Sequence, residues 1–356
     1  MSGTGPVLVT GGSGFIGSNL ADSFLGDGRE VVVLDNLSRP GVEQNLDWLV
    51  ARHGNRVHPT RSDVRDAQAV REAARGVSAV VHLAAQTAVT TSLTDPVEDF
   101  EVNARGTLNV LEAVRALPEP VPVIFASTNK VYGALADLGV AEVEGRHVPA
   151  DPELRAKGVA EDRPLDFCTP YGCSKGVADQ YVLDYAKSYG IPGAVLRMSC
   201  IYGPRQFGTE DQGWVAHFLI RALRGEALTV YGDGRQVRDV LDVGDAVAAY
   251  RLVLAGMGDL AGRAFNLGGG PANAVSLLDA IEEAGRLSGR APAVDFDGWR
   301  QGDQPWFVAN TAALEAATGW QARTPWREGL ARLAGWLREN RADLRPARPE
   351  PQRVRA

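Results

Sequence analysis

The chain is predicted to be an α/β protein built on a doubly wound parallel sheet of the Rossmann type, with a smaller C-terminal α/β substrate-binding domain. In the first half, short apolar strands alternate with helical stretches, a pattern typical of a parallel sheet covered by helices. In the second half, polar, glycine-rich and aromatic pieces alternate with short strands, which indicates a separate smaller unit. We assign residues 1–195 and 236–265 to the Rossmann-type domain and residues 196–235 and 266–340 to the smaller substrate-binding domain, and we expect the Pro/Arg-rich residues 341–356 to be a disordered tail.

Composition and charge exclude several classes of protein. Over 356 residues the chain carries a net charge of -7 and shows no basic stripe, which argues against a nucleic-acid partner. No apolar run approaches the ~18 residues of a membrane helix, and the N-terminus lacks the charged region of a signal peptide. The three cysteines and five histidines show no metal-ligand spacing, so no metal is predicted. The odd cysteine count suits a reducing compartment, and we expect a cytoplasmic protein.

The first strong motif is "PVLVTGGSGFIGSNL", in which an apolar strand runs into Gly11, Gly14 and Gly17 and then into a helical pattern. Glycines at these places allow a tight turn and let the backbone approach a pyrophosphate at the helix N-terminus. The next strand ends at Asp35, whose carboxylate would accept hydrogen bonds from the adenosine ribose hydroxyls. Its charge disfavours the 2′-phosphate of NADP, so NAD is predicted, although Arg39 nearby could meet such a phosphate.

Small or polar side chains follow three further strands of the predicted sheet. The strand in "SAVVHLAAQ" (78–86) ends in small residues, where a bulky side chain would obstruct a cofactor. Asp63 follows another strand and could reach the adenine, while Thr128 ends the strand "VPVIFAST". Because ligands bind at the carboxyl ends of strands in open α/β sheets, Thr128 is expected where a nicotinamide ring would lie.

A candidate catalytic pair lies on the helix predicted from "TPYGCSKGVADQYVLDYAKSYG" (169–190). Tyr171 and Lys175 are four residues apart and therefore share one face of the helix. A phenol with a pKa of ~10 is a poor base at neutral pH, but a neighbouring ammonium and a cationic nicotinamide both favour the phenolate. Thr128 supplies a hydroxyl that can hold the reacting oxygen of a substrate. We predict Thr128, Tyr171 and Lys175 as the catalytic residues.

These motifs resemble those of the extended short-chain dehydrogenases/reductases, in the group of nucleotide-sugar epimerases and dehydratases. The resemblance covers residues 5–335 and is carried by TGGSGFIG, DN (35–36), HLAAQ, VNARGTLNVLEAVR, STNKVYG, YGCSK, YGPRQF, GDGRQVRDVLDVGD, FNLGGG and GDQ. Within the group, the segments ASTNKVYG, TPYGCSKGVADQY and YGPRQFGTEDQGWV most resemble the CDP-tyvelose (CDP-paratose) 2-epimerases. The resemblance implies tightly bound, recycled NAD and a nucleotide-sugar substrate.

The resemblance also implies roles for individual residues. It implies cofactor contacts for Gly11, Gly14, Phe15, Ile16, Gly17, Asp35, Asn36, Asp63, Val64, Leu83, Ala84, Ala85, Gln86, Asn103, Tyr171 and Lys175. It implies substrate contacts for Thr128, Asn129, Lys130, Arg205, Gln206, Arg238 and Arg300, and guanidinium groups match the oxygens of a diphosphate. Asn129 and Lys130 stand where the related 4,6-dehydratases have an Asp-Glu pair for water elimination, so dehydration is disfavoured.

The motifs are compatible with three functions. The first is an NAD-dependent 2-epimerase of a CDP-linked deoxyhexose such as CDP-paratose, in which the sugar passes through a keto form and the hydride is returned. The second is a UDP-hexose 4-epimerase, or another nucleotide-sugar epimerase, with the same three catalytic residues. The third is a non-catalytic NAD-binding protein that senses nucleotide sugars, which the intact Thr-Tyr-Lys set argues against. A homodimer or homotetramer is expected, with helices 104–117 and 171–190 at the dimer interface.

Overall fold

The fold is given by a computed structural model that describes residues 5–341 and residue 344. The predicted tail, residues 341–356, lies outside the described residues except at positions 341 and 344. The strands are β1 (Val7–Thr10), β2 (Val31–Asp35), β3 (Val57–Arg61), β4 (Ala79–His82), β5 (Val123–Thr128), β6 (Val140–Val143), β7 (Arg146–Pro149), β8 (Gly193–Met198), β9 (Cys200–Tyr202), β10 (Leu228–Tyr231), β11 (Val237–Asp242), β12 (Arg263–Leu267), β13 (Ala274–Ser276), β14 (Val294–Asp297) and β15 (Trp306–Phe307). The α-helices are α1 (Phe15–Gly26), α2 (Val42–His53), α3 (Ala67–Ala73), α4 (Val89–Thr94), α5 (Pro96–Phe100), α6 (Gly106–Arg115), α7 (Pro152–Lys157), α8 (Thr169–Tyr189), α9 (Trp214–Arg224), α10 (Val243–Ala255), α11 (Met257–Leu260), α12 (Leu277–Ser288), α13 (Ala312–Thr318) and α14 (Trp326–Asn340).

Seven parallel strands form the main sheet, in the order β12-β8-β5-β4-β1-β2-β3. Strands β1, β4 and β5 are buried along their whole length, because helices cover both faces of the sheet. The strand order reverses between β1 and β4, and ligands of doubly wound sheets bind at this reversal. The predicted Rossmann-type fold is confirmed.

Alternate residues of each central strand belong to two separate apolar clusters. Val7 and Val9 of β1 lie in the cluster that includes residues of α1 and α10, whereas Leu8 lies in the cluster that includes residues of α6 and α8. This alternation follows from the twofold period of a strand, whose successive side chains point to opposite faces. The sheet is therefore held rigidly between two helical layers, and the ends of its strands form a fixed platform.

A smaller unit covers the carboxyl ends of these strands. Strand β11 pairs with β13, β15 and β9, and β10 pairs with β14, while α9, α12 and α14 supply the apolar cluster beneath them. The predicted domain boundaries stay a prediction, and strand pairing differs from them at two points. Residues 237–242 pair within the smaller unit, and residues 266–267 end the last strand of the main sheet.

The helix predicted over 104–117 is preceded by a π turn. Residues Glu101–Arg105 form this wider turn, and the α-helical part is α6. The side chain of Asn103, in the middle of the turn, accepts from the backbone N–H of Gln86 (2.9 Å) and donates to its carbonyl (3.0 Å). The π turn thus fastens the end of the β4 segment, as such turns often do near functional sites.

The part of the chain that the structure describes contains neither a membrane-spanning helix nor a cluster of metal-binding side chains. Within residues 5–341 and 344, no helix combines the length and apolar character that a membrane crossing needs. Within the same residues, no group of three or more His, Cys, Asp or Glu side chains could hold a metal ion.

Candidate functional site

A cavity of about 770 Å³ opens at the carboxyl ends of the main-sheet strands. The predicted cofactor residues on its wall are Gly11, Gly14, Phe15, Ile16, Gly17, Asp35, Asn36, Asp63, Val64, Leu83, Ala84, Ala85, Gln86 and Tyr171. All the predicted substrate residues are also on its wall: Thr128, Asn129, Lys130, Arg205, Gln206, Arg238 and Arg300. Asn103 and Lys175 are buried behind the wall.

The turn after β1 has the geometry of a dinucleotide-binding loop. Gly11 has a φ of 66°, and a Cβ atom on Gly17 would lie 2.2 Å from the Gly11 carbonyl oxygen, so both positions require glycine. Gly14 is the N-cap of α1 and has no side chain that could cap the helix. The N–H groups of the first helical turn, which have no partner within the helix, can therefore bind a pyrophosphate. These residues fit NAD.

Asp35 closes this loop from the end of β2. Its carboxylate accepts hydrogen bonds from the backbone N–H groups of Ser13 (3.0 Å) and Leu37 (2.9 Å), which ties β2 to the glycine turn. Burial raises the pKa of Asp35, and the backbone donors oppose that rise. Arg39 donates to the hydroxyl of Thr87 at 3.0 Å instead of pairing with this carboxylate. The carboxylate is placed to accept ribose hydroxyls and to repel a 2′-phosphate.

We expect Asp35→Ala to reduce the preference for NAD over NADP by roughly tenfold or more, because the substitution removes the charge that repels the 2′-phosphate. Calorimetric titration of both dinucleotides into the cofactor-free protein measures the two affinities. Asp47→Ala, which removes an exposed carboxylate from the neighbouring helix α2, is the control and should leave the ratio unchanged. Equal or tighter NADP binding by the unmodified protein would show that Arg39 outweighs Asp35.

Asp63 lies beyond Asp35 on the same side of the cavity. Its carboxylate accepts hydrogen bonds from Arg65 (2.9 Å) and from the amide of Asn36 (2.8 Å). The bond from Arg65 lowers the pKa of Asp63 to about 2, although burial opposes it. An ionised carboxylate fixed in this way can accept a further donor such as an adenine amino group.

Thr128 and Tyr171 meet at the inner end of the cavity. Both side chains line the cavity, and the backbone N–H of Tyr171 donates to the hydroxyl of Ser92 at 3.1 Å. Burial raises the pKa of Tyr171 to about 12, and the hydroxyl of Thr128 opposes that rise. The phenol therefore keeps its proton at neutral pH until positive charge is brought near it.

Lys175 lies one helical turn after Tyr171 and is buried. Its ammonium donates to the carbonyl of Ala126 at 2.6 Å and lies 4.1 Å from the centre of the Phe125 ring. Burial lowers the pKa of Lys175 to about 7, and the charge of Asp179 is the largest effect that opposes this. A protonated Lys175 supplies positive charge behind the cavity wall, on the helix that carries Tyr171.

A buried carboxylate behind the catalytic helix was missed by sequence reasoning. Asp99 accepts hydrogen bonds from Ser174, from Gln86 (2.8 Å) and from Asn103 (3.1 Å). Because Ser174 immediately precedes Lys175, this network fastens α8 to the cofactor side of the cavity. One sequence pattern indicates this contact. Asp99 stands four residues before Asn103, and helical spacing places both side chains on one face.

The two residues after Thr128 bond to a distant part of the chain. The amide of Asn129 donates to Gln304 at 3.2 Å, and the ammonium of Lys130 donates to the carbonyl of Gly302 at 3.2 Å. Burial lowers the pKa of Lys130, and the nearby carboxylate of Asp303 opposes this. Neither side chain offers a carboxyl group to the cavity.

Asp303 forms an ion pair that sequence reasoning also missed. The guanidinium of Arg238 lies 2.6 Å from its carboxylate and the ammonium of Lys130 lies 3.6 Å from it. Burial would raise the pKa of Asp303, but Arg238 and Lys130 outweigh burial and lower it. The motif GDQ gave the location of Asp303, but its two partners are far away in the sequence.

The three predicted phosphate-binding arginines have different neighbours in the structure. Arg300 lies 3.8 Å from the centre of the Tyr231 ring, on the rim of the cavity. The guanidinium of Arg205 stacks on Trp48 of α2, 3.0 Å from the ring centre, and its charged neighbours are Asp22 and Arg52. Arg238 and Arg300 remain candidates for a diphosphate, whereas the guanidinium of Arg205 is directed to α2.

Two buried amide oxygens at the cavity have no hydrogen-bond partner among the residues that the structure describes. They belong to Gln206, whose nitrogen donates to the carbonyl of Ile201 (3.2 Å), and to Gln236, whose nitrogen donates to that of Tyr231 (2.6 Å). An unsatisfied buried acceptor costs ~1–3 kcal/mol, so a ligand donor would be stabilised at either place. Sequence reasoning missed Gln236, although it stands two residues before Arg238 in a quoted motif.

One protein family matches most of this chain. The profile of the NAD dependent epimerase/dehydratase family matches residues 7–268. A CDP-paratose 2-epimerase of Salmonella typhi is 40% identical over 340 residues, which cover 93% of this chain and 98% of the relative. The crystal structure of a UDP-glucose 4-epimerase from Thermus thermophilus in complex with NAD has a TM-score of 0.79 and 34% identity, covering 94% of this chain and 99% of its own. A dTDP-glucose 4,6-dehydratase from Streptomyces venezuelae with NAD bound has a TM-score of 0.81 and 28% identity, covering 95% and 98%. These matches confirm the resemblance that the motifs predicted and the use of NAD.

Proposed function

The chain belongs to the NAD dependent epimerase/dehydratase family, and from this membership we propose that it is a 2-epimerase of a CDP-linked deoxyhexose such as CDP-paratose. NAD, when bound, supplies the chemistry of accepting a hydride from the sugar carbon and giving it back. The reaction leaves no net oxidation, so the cofactor stays in its site. The 40% identity to a CDP-paratose 2-epimerase along nearly the whole chain supports the choice of sugar and of nucleotide.

The observation that carries the proposal is the chemistry of the residues after Thr128. Water elimination needs a general acid and a general base beside the sugar, and the chain has an amide at Asn129 and an ammonium at Lys130. A carboxylate does lie near Lys130, that of Asp303, but it has a lowered pKa and is already paired with Lys130 and Arg238. A paired carboxylate with a lowered pKa is a poor acid, so the site favours epimerisation over dehydration.

Each catalytic residue has a role that follows from its position. Tyr171 takes the proton of the sugar hydroxyl as the carbonyl forms and returns it when the carbonyl is reduced from the other face. Thr128 holds the reacting oxygen through its hydroxyl, on the same cavity wall as the phenol. Lys175 provides the positive charge that favours the phenolate. Arg238 and Arg300 are proposed to bind the diphosphate, and the unpartnered amide oxygens of the two glutamines are proposed to accept donors from the nucleotide sugar.

A UDP-hexose 4-epimerase is the second candidate. UDP-glucose 4-epimerases among the solved and curated relatives are 28–34% identical to this chain, and the three catalytic residues serve either reaction. A sensor without catalysis is disfavoured, because a sensor has no use for a phenol and a lysine buried together at a hydride-transfer site.

We further propose the arrangement of the whole protein. The residues of the main sheet hold NAD and the smaller unit holds the nucleotide sugar, with boundaries near those expected from the sequence. A homodimer or homotetramer is supported by exposed large apolar side chains on α5 and α8, namely Val97, Phe100, Tyr181 and Tyr189. The cytoplasmic location stays a prediction from cysteine content.

Incubation with CDP-paratose and, separately, with UDP-glucose tests the choice of substrate. We expect new anomeric and C2 proton signals of a 2-epimer in the NMR spectrum of the CDP sugar, and no change in that of the UDP sugar. The control is Asp47→Ala, which should behave as the unmodified protein. Turnover of UDP-glucose to its 4-epimer, with an unchanged CDP sugar, would establish the second candidate.

A further inference from the structure

The residues Pro204–Phe207, between β9 and α9, lie across the cofactor side of the cavity and are bonded to the elements that form the NAD site. We propose that this segment is a strap that retains NAD, and that Arg205 anchors it. The proposal concerns the cofactor alone and does not depend on which sugar is epimerised. It gives Arg205 a different role from the diphosphate contact expected from the sequence.

The backbone of the strap is tied to both helices of the NAD site. The amide of Asn19, on α1, donates to the carbonyl of Pro204 at 3.1 Å. The amide of Asn45, on α2, donates to the carbonyl of Arg205 at 3.3 Å and to that of Ser13 at 3.1 Å. Ser13 lies within the glycine turn, so one buried amide links the strap to the loop that would hold the pyrophosphate.

The side chain of Arg205 fastens the strap to α2. Its guanidinium lies 3.0 Å from the centre of the Trp48 ring and 5.9 Å from that of Trp336 on α14. Arg205 also has a φ of 72°, a left-handed conformation that is unfavourable for any residue with a Cβ atom. Such strain persists where surrounding contacts determine it, and it is frequent at ligand clamps.

Phe207 closes the contact on the adenosine side. Its ring lies 3.1 Å from the position of a Cβ atom on Gly41, whose φ is 87°. Gly41 ends the loop that follows Asp35, and both Pro40 and Val42 line the cavity together with Arg205 and Phe207. A dinucleotide with its pyrophosphate at α1 and its ribose at Asp35 would therefore lie under this contact. It could leave only after the strap separated from α2 and from the Asp35–Gly41 loop.

The test measures the rate of NAD release, with no dependence on turnover. The holoprotein is loaded with radiolabelled NAD and chased with excess unlabelled NAD. Arg205→Gly removes the stacked guanidinium and allows the φ of 72°, and Phe207→Ala removes the contact with Gly41. We expect Arg205→Gly to release NAD about tenfold faster than the unmodified protein, as the loss of a stacked cation–aromatic contact implies. Phe207→Ala should also release NAD faster, because it frees the strap from the loop at Gly41.

Arg52→Ala is the matched control, because Arg52 also lies over the Trp48 ring, at 5.8 Å, but is exposed and bonds Asp22. It should release NAD at the unmodified rate. Unchanged release from both Arg205→Gly and Phe207→Ala would overturn the proposal. So would Arg205→Gly with unchanged NAD release and weakened CDP binding, since that result assigns the guanidinium to the diphosphate. If circular dichroism shows that Arg205→Gly does not fold, the release rate of Phe207→Ala alone decides.

Discussion

Replacing Tyr171 by phenylalanine should lower kcat by ~10²–10⁴-fold, the usual contribution of a general acid–base group. The ring fills the same buried space, so the fold should survive, while the hydroxyl that takes the proton from the sugar is gone. Steady-state kinetics with the CDP sugar give kcat, and the NAD content of the purified variant shows whether the cofactor site is intact. We expect the variant to retain NAD as the unmodified protein does.

Tyr181→Phe is the matched control for this experiment. Tyr181 lies on the same helix, is exposed, and has no place at the cavity, so its kcat should be unchanged. Near-normal turnover by Tyr171→Phe would remove Tyr171 from the mechanism and leave Thr128 without the partner assigned to it.

Lys175→Met should lower kcat by roughly 10²–10³-fold at neutral pH, the cost of removing one preorganised electrostatic group. Burial keeps the pKa of Tyr171 far above neutral pH, and without the ammonium only the bound nicotinamide is left to favour the phenolate. The remaining activity should therefore rise with pH, about tenfold per pH unit between 7 and 9, because the phenolate fraction grows in that proportion below the pKa. A pH–rate profile of both proteins measures this difference.

Thermal unfolding of Lys175→Met without NAD separates catalysis from folding. The pKa of Lys175 falls from 10.5 in the unfolded chain to about 7 in the fold. A lysine with a lowered folded pKa destabilises the fold, increasingly as pH drops from 10.5 to 7. Methionine removes that penalty, so the variant should unfold at an equal or higher temperature at pH 7. A pH–rate profile of Lys175→Met that runs parallel to that of the unmodified protein would contradict the assigned catalytic role of Lys175.

The main sheet and the cofactor half of the site were predictable because local patterns determine them. Glycine spacing, strand-to-helix alternation and the small residues after β4 all act within a few residues of one another. Thr128 and Tyr171 could be placed together because parallel strands end at one edge of the sheet and the catalytic helix follows that edge. Both side chains lie on the wall of the same cavity, in agreement with this expectation.

The substrate half was harder to predict, because its contacts join positions far apart in the chain. Lys130 meets Asp303 across more than 170 positions, and no local pattern announces that pairing. Arg205 illustrates a second difficulty, which is that the partner of an arginine cannot be read from the residue type. A guanidinium can bind a phosphate and can also stack on an aromatic ring. Only the fold reveals that Trp48 is its neighbour.

The central claim is that a hydrogen leaves one sugar carbon and returns to the same carbon from the other face. The most direct measurement is NMR of the product formed from CDP-paratose in deuterated water at neutral pH. We expect the 2-epimer with its C2 hydrogen unlabelled, and no reduction of added NAD in proportion to product. Deuterium at C2 would show direct deprotonation of the carbon and would contradict the account, and a 4-keto-6-deoxy product or stoichiometric reduction of added NAD would contradict it as well.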